Sequence, residues 1–293
     1  MRSLVVGASG QLGAALVRLL RARGEEVVGT HRSRPVDGSV PLDLRDREAV
    51  RRLLSDLRPD RVFLAQNAPG GVDACEERPA EAAAVLVDGT RHLLEGLPPR
   101  AEVVLFSSDY VFDGSAGPYD ESAAPRPVSV YGKAKLLSEE AVRAREREGL
   151  VVRTTAVFDW APGTRNLAMQ VHESLRAGRP LRVPDDQWCN PTFAEHLAEA
   201  SLRLSEGPWR GVFNVVGRDR MTRSQMAAGL ARAMSLDPAP LRPVPTAELG
   251  QKARRPLAGG LTTEKLRRAL GEAPPGFEEA LERFSRKFRL SVS

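Results

Sequence analysis

The sequence predicts an α/β fold, a doubly wound parallel sheet with a smaller C-terminal lobe. Three observations carry this. Short β-branched runs alternate with amphipathic helical patterns up to residue 154, as in parallel strands joined by crossover helices. A glycine-rich turn, Gly7-Ala8-Ser9-Gly10-Gln11-Leu12-Gly13, separates the first strand from the first helix. Beyond residue 154 the alternation breaks and prolines collect between Pro238 and Pro245.

The elements follow in order. Ser3-Leu4-Val5-Val6 is the first strand, and the first helix runs through Leu16, Val17, Leu19 and Leu20. Between them, Gly7 permits a tight turn, Gly10 lets a pyrophosphate approach the backbone, and Gly13 lets helix and strand pack closely. The helix N-terminus then offers free N–H groups to phosphate. This context points to a dinucleotide-binding domain of the Rossmann type, with Gly7, Ser9, Gly10, Gln11 and Leu12 as candidate cofactor residues. The second strand, Glu26-Val27-Val28-Gly29, leads to Thr30-His31-Arg32-Ser33-Arg34. No acidic residue stands there to hold the ribose 2′-hydroxyl of NAD. Arg32 and Arg34 suit a 2′-phosphate instead, which favours NADPH over NADH; the alternative is a pair of solvated loop arginines.

Val40-Pro41-Leu42-Asp43-Leu44 reads as a third strand ending on an acid. Asp43 either accepts from the adenine amino group, with Leu44 against the ring, or caps the helix that starts near Asp46. Arg61-Val62-Phe63-Leu64-Ala65 is the fourth strand. Asn67 and Ala68 follow it, at the place of a cofactor ribose. A helix spans 80–94, and a fifth strand over 101–106 delivers Ser107-Ser108-Asp109-Tyr110. A helical pattern covers 128–147 and a sixth strand 151–154. Helices are expected at 166–177, 194–206, 222–234, 262–271 and 275–288, strands at 181–183 and 212–215, and an extended connection at 238–245. Residues 1–154 with about 191–216 form the dinucleotide domain; 155–190 and 217–293 form the substrate lobe.

Tyr131 and Lys135, at i and i+4 on one helix, share a face. An ammonium beside a phenol favours phenolate and lowers the tyrosine pKa toward working pH. Such a tyrosine can protonate a carbonyl oxygen as hydride reaches the carbon. Ser108, at the carboxyl end of the fifth strand, would hydrogen-bond the same oxygen. Lys135 can also hold the nicotinamide ribose, so Tyr131 and Lys135 are both catalytic and cofactor candidates.

These residues resemble those of an extended short-chain dehydrogenase/reductase, and within that superfamily the chain is similar to the dTDP-4-dehydrorhamnose reductase family. The carriers are the glycine turn; Val72-Asp73-Ala74-Cys75-Glu76; Ser107-Ser108-Asp109-Tyr110-Val111-Phe112-Asp113-Gly114; Tyr119-Asp120-Glu121 with Pro127 before Tyr131; Asp186-Gln187 with Pro191-Thr192; and Arg254-Arg255-Pro256. The resemblance implies Ser108, Tyr131 and Lys135 as the catalytic set. It implies Asp109 and Tyr110 near a sugar, with core packing the alternative for Tyr110. Gln187 and Arg255 join them as substrate-binding candidates, Arg254 and Arg255 drawing in a pyrophosphate. The implied reaction is NAD(P)H-dependent reduction of a nucleotide-linked 4-keto-deoxysugar. Three positions depart from the family pattern. Ala156 stands where the family has a tryptophan lining the sugar pocket, Asp88 stands where an asparagine is usual, and Leu257-Ala258-Gly259-Gly260 lacks an expected serine. They leave open another carbonyl substrate, an epimerisation, or a regulatory role like that of the methionine adenosyltransferase regulatory subunit.

Bulk composition narrows the remaining classes. The 293 residues are 42% hydrophobic and 28% charged, as in an ordinary globule. The net charge of +5 comes mostly from arginines set beside glutamates, as in the run 143–148. That pattern reads as solvated, salt-bridged faces rather than a nucleic-acid surface. Cys75 and Cys189 make neither a disulfide framework nor a metal pattern, so no metal is expected. No apolar run reaches membrane-spanning length, and Met1 leads directly into a strand, so a cytoplasmic location is expected. The family resemblance implies a homodimer.

Overall fold

The computed structural model describes residues 1–145 and 149–292. In chain order the elements are β1 (Arg2–Val6), α1 (Gln11–Ala22), β2 (Glu26–His31), β3 (Ser39–Pro41), α2 (Arg47–Leu57), β4 (Arg61–Leu64) and α3 (Val72–Glu77). Next, α4 (Pro79–Ala83) passes through a π-helical turn, Ala84–Asp88, into α5 (Gly89–Gly96). β5 (Glu102–Ser108), a 3₁₀ turn (Asp109–Val111), α6 (Val130–Arg143), β6 (Gly149–Thr154), β7 (Val157–Phe158) and α7 (Leu167–Arg176) follow. The rest comprises β8 (Leu181–Pro184), β9 (Trp188–Cys189), β10 (Thr192–Phe193), α8 (Ala194–Glu206), β11 (Gly211–Asn214), β12 (Met221–Thr222), α9 (Arg223–Ala233), β13 (Leu241–Val244), α10 (Glu264–Leu270) and α11 (Phe277–Val292).

Seven strands form one parallel sheet in the order β11-β6-β5-β4-β1-β2-β3. This is the α/β doubly wound architecture expected. Leu4, Val6, Val62, Leu64, Val103 and Leu105 face one side; Val5, Phe63, Val104, Phe106 and Val152 face the other. Burial on both faces explains why these strands read as continuous apolar runs. A separate core lies in the smaller lobe, where Phe158, Phe193, Phe277 and Phe284 meet between α7, α9 and α11. Leu266 of α10 packs with the sheet core, although its segment falls in the stretch assigned to the lobe.

Several local expectations shift. The third strand is only Ser39–Pro41, and Leu42 N–H closes its pairing with β2 by donating to His31 O at 2.8 Å; Pro41 is tolerated because β3 is the edge strand. Asp46, not Asp43, caps α2, its carboxylate accepting from the Ala49 amide at 2.9 Å. β5 ends two residues later than expected, so Ser108 is its last residue. The proline-dense connection contains β13, paired in parallel with β8. α6 ends at Arg143, and Ala144 and Arg145 form a turn rather than continuing the helix as expected; Glu146, Arg147 and Glu148 of the charged run lie outside the described residues.

Candidate active site

Two local features set up the first half of the site. Gly7 has φ 83°, which a side chain would strain. It starts the turn from β1 into α1, where Gly10 N–H donates to Gly7 O at 3.0 Å. At Gly13 a Cβ would overlap that same carbonyl, so only glycine lets α1 sit this close to β1. Gly10 caps α1 without a side chain, leaving the first helical amides free for phosphate oxygens.

Gly7 and Gly10 open onto a cleft at the carboxyl ends of the central strands. Gly7, Ser9, Gly10, Arg32, Asp43, Leu44 and Asn67 line it, as the sequence suggests. Gln66, which opens the run expected beside a cofactor ribose, lines it too, as do Thr30, Ala65 and Val85, which no motif announced. Gln66 Oε1 is buried there and has no hydrogen-bond partner among the described residues. A cleft at this edge, with a free helix N-terminus and a waiting acceptor, fits a dinucleotide. Arg32 brings positive charge to the wall, 3.6 Å from Glu81. Arg45 grips the Asp43 carboxylate at 2.5 Å and holds its pKa below the usual range.

Four cofactor candidates are turned elsewhere. Gln11 donates its side-chain amide to Val157 O at 3.0 Å. Leu12 packs against the sheet core. As the first two residues of α1, both face the turn only through backbone N–H groups. Arg34 hydrogen-bonds the carbonyls of Ser9 and Pro162, so its guanidinium braces the glycine turn against the smaller lobe. Ala68 is buried in an apolar cluster with Cys75, Leu86 and Tyr131.

The second half of the site is held by α6. Ser129 caps this helix, its hydroxyl accepting from Gly132 N–H at 3.1 Å. Glu76 accepts from Val130 N–H at 2.8 Å. The first turn is thereby fixed, and Tyr131 is on it. Gly132 lets this turn press on the loop after β5, since a Cβ there would overlap Tyr110 O. Ser108 lies close enough to the Tyr131 phenol to favour its charged form. Tyr110 meets the Tyr131 ring edge-on, centroids 5.6 Å apart.

Lys135 departs from its expected role. Its ammonium donates to the carbonyls of Phe106 at 2.9 Å and Gln66 at 3.3 Å. Burial lowers its pKa to about 8. Tyr131 is buried too, and its pKa is pushed up rather than down, first by loss of solvent and then by Tyr110, Cys75 and Asp109. The expected electrostatic activation of the phenol by Lys135 is therefore overturned: at neutral pH Tyr131 is a protonated donor.

Of the substrate candidates, Tyr110, Gln187 and Arg255 converge. Arg255 pairs with Asp73 at 2.7 Å, donates to Gln251 at 3.2 Å and reaches the Tyr110 hydroxyl at 3.5 Å. Gln187 donates to the same Gln251 at 3.0 Å. Tyr110 thus stands in the site as well as packing beside Tyr131. Asp109 is only 4% exposed, so the expected contact with a sugar gives way to contacts with protein. Ala156 has φ 45° and packs its methyl toward the small-lobe core. Arg254 is exposed.

A dinucleotide cleft beside a half-buried serine and a buried tyrosine and lysine on a doubly wound sheet defines an NAD(P)-dependent oxidoreductase of the extended short-chain class. Residues 1–290 match the family model described as the RmlD substrate binding domain. The chain belongs to this family, that of the dTDP-4-dehydrorhamnose reductases. It is 34% identical over 261 residues to dTDP-4-keto-6-deoxy-D-glucose reductase of Streptomyces niveus, covering 87% of this chain and 86% of that one. It is 31% identical over 289 residues to a probable low-salt glycan biosynthesis reductase of Haloferax volcanii, covering 96% of both. A crystal structure titled as a hypothetical dTDP-4-dehydrorhamnose reductase from Sulfolobus tokodaii superposes with a TM-score of 0.82 at 31% identity, covering 92% of this chain and 94% of that one. Among the described residues no helix is long and apolar enough to cross a membrane.

Proposed function

We propose that this chain reduces the 4-keto group of a nucleotide-linked deoxysugar, using NADPH. The observation that carries the reading is the meeting of Ser108 and Tyr131 at the end of β5, with Lys135 bonded to the Gln66 carbonyl at the cleft wall. The dinucleotide supplies hydride when bound. Tyr131, kept protonated by burial, gives its proton to the ketone oxygen, and Ser108 holds that oxygen in place. Lys135 fixes the floor between β4 and β5 and offers its charge to the nicotinamide ribose. Arg32 takes the 2′-phosphate, which selects NADPH over NADH. Arg255, beside Tyr110, faces the sugar's diphosphate side.

Oxidation of NADPH in the presence of dTDP-linked 4-keto-6-deoxysugars, followed by absorbance, tests the reading. Absence of oxidation across such a panel refutes it. The small side chain of Ala156 supports a second reading, in which the same chemistry acts on a bulkier or different carbonyl compound; preferred turnover of a non-nucleotide ketone in the same assay distinguishes it. Cofactor binding with no turnover of any carbonyl favours a regulatory subunit. The chain works as a homodimer in the cytoplasm on this reading, and light scattering checks the dimer.

A further inference from the structure

Asp109 is a buried carboxyl that the proposed chemistry does not use. It lies between the catalytic candidates and the smaller lobe. Ser108 Oγ donates to its Oδ1 at 3.1 Å. Thr155, from the loop after β6, and the Gly260 amide, from the C-terminal segment, stand beside it and favour its charged form. Around it stand Tyr110 on its own turn, Tyr131 on α6, Cys189 on β9 and the Arg223 guanidinium on α9. Arg220, next to β12, is directed to the Gly259 carbonyl at 2.9 Å instead. No ion-pair partner within 4 Å of the carboxylate stands among the described residues, although Arg223 is close enough to act on it through space.

Ser108 has one proton and two lone pairs. One lone pair accepts from Tyr110 N–H at 3.2 Å. When Asp109 is ionised it can only accept, so it takes the Ser108 proton, and Ser108 has nothing left to donate to a ketone. When Asp109 carries a proton it can donate to the second lone pair of Ser108. The Ser108 proton is then free to turn outward.

We propose that Asp109 is a positioning residue whose own proton orients the Ser108 hydroxyl toward the substrate carbonyl, so that the protonated carboxyl supports reduction and the carboxylate suppresses it. This rests on the reading that Ser108 holds the ketone oxygen. Burial raises the Asp109 pKa to about 6 against the pull of its hydrogen bonds and of Arg223. Bound phosphates and the exclusion of water push it in the same direction. The switch therefore falls within reach of working pH.

The test has two arms. Infrared pH-difference spectra of the resting protein, from about pH 4.5 to about pH 8.5, read the carboxylic acid band directly, assigned by its loss in Asp109→Asn. A band that titrates near pH 6 or above supports the proposal. A carboxylate that stays ionised throughout overturns it, whether or not any substrate is turned over. In the second arm, kcat is followed against pH with NADPH and a dTDP-4-keto-6-deoxysugar. The parent loses activity along an alkaline limb. Asp109→Asn, whose amide donates to Ser108 at every pH, flattens that limb and exceeds the parent by about tenfold at pH 8. A limb unchanged in Asp109→Asn, or turnover abolished in a variant with native circular dichroism, overturns the proposal. Undiminished turnover in Ser108→Ala would instead sink the role given to Ser108, and the infrared result would stand apart from it.

Discussion

The Lys135 ammonium lies 5.7 Å from the centre of the Tyr131 ring and spends its hydrogen bonds on the Phe106 and Gln66 carbonyls. The two residues share a helix face, but the lysine is aimed past the phenol at the seam between β4 and β5. It ties together the strand that carries Ser108 and the wall of the dinucleotide cleft. The phenol keeps its proton through burial.

Tyr131→Phe is expected to lower kcat by about a hundredfold to ten-thousandfold, the range for losing a positioned proton donor. NADPH affinity should change little, because the ring and its contacts with Tyr110 remain. Turnover by NADPH absorbance, set beside a fluorescence titration of cofactor binding, checks this split.

Lys135 makes stability depend on pH in an unusual direction. Its native pKa of about 8 lies below the ordinary lysine value of 10.5. Between those values the unfolded chain binds more protons than the native one, so this group makes stability rise with pH across the window. Below it the cost of a buried ammonium is felt in full. The gain across the window is on the order of 3 kcal/mol. Urea midpoints on either side of the window should show this rise in the parent and lose it in Lys135→Met.

Behind the site, Arg153 and Glu139 form an ion pair at 2.7 Å with both side chains at most 2% exposed. Ser107 donates to the same glutamate at 2.5 Å. Glu139→Gln should cost about 3–5 kcal/mol, because it strands a buried guanidinium. The paired replacement Glu139→Leu with Arg153→Met should cost less than either single change. Denaturant unfolding of the three variants decides it.

Gly132→Ala tests the contact between α6 and the loop after β5. The added methyl overlaps the Tyr110 carbonyl, so the first turn of α6 must move and carry Tyr131 away from Ser108. A small misplacement of a reacting group costs about a hundredfold in rate. The expected outcome is a fall in kcat of that order with NADPH affinity retained, since the glycine turn of α1 is untouched.

Arg32→Ala is expected to weaken NADPH binding by about tenfold and to leave NADH binding nearly unchanged, as fits loss of one charge-assisted phosphate contact. Arg34→Ala should instead loosen both cofactors equally, because Arg34 holds the turn at Ser9 rather than a phosphate. Parallel titrations with the two dinucleotides separate these effects.

Much of the fold was legible in order along the chain. Apolar runs, helix periodicity and glycine spacing are local signals, and they located the seven-stranded sheet, the cofactor turn and the helix bearing Tyr131 and Lys135. Element ends were less legible where a side-chain cap or the sheet edge decided them, as at Asp46 and at the short edge strand β3. Nothing local announces the π-helical turn at Ala84–Asp88, whose Leu86 carbonyl accepts from Ser138 of α6 at 2.8 Å.

The sequence by itself determined which functional groups this protein owns and which backbone turns could hold a dinucleotide. Both depend on residue type at short spacing. Only the tertiary structure decided where the polar side chains point. Arg34 meets Pro162, 128 residues away, and Arg255 is paired with Asp73 across the lobes. Asp109 is closed in by segments that reach it from β6, α9 and the C-terminal stretch. A side chain's partner and protonation state depend on solvent exclusion by distant segments, and spacing along the chain carries no record of that.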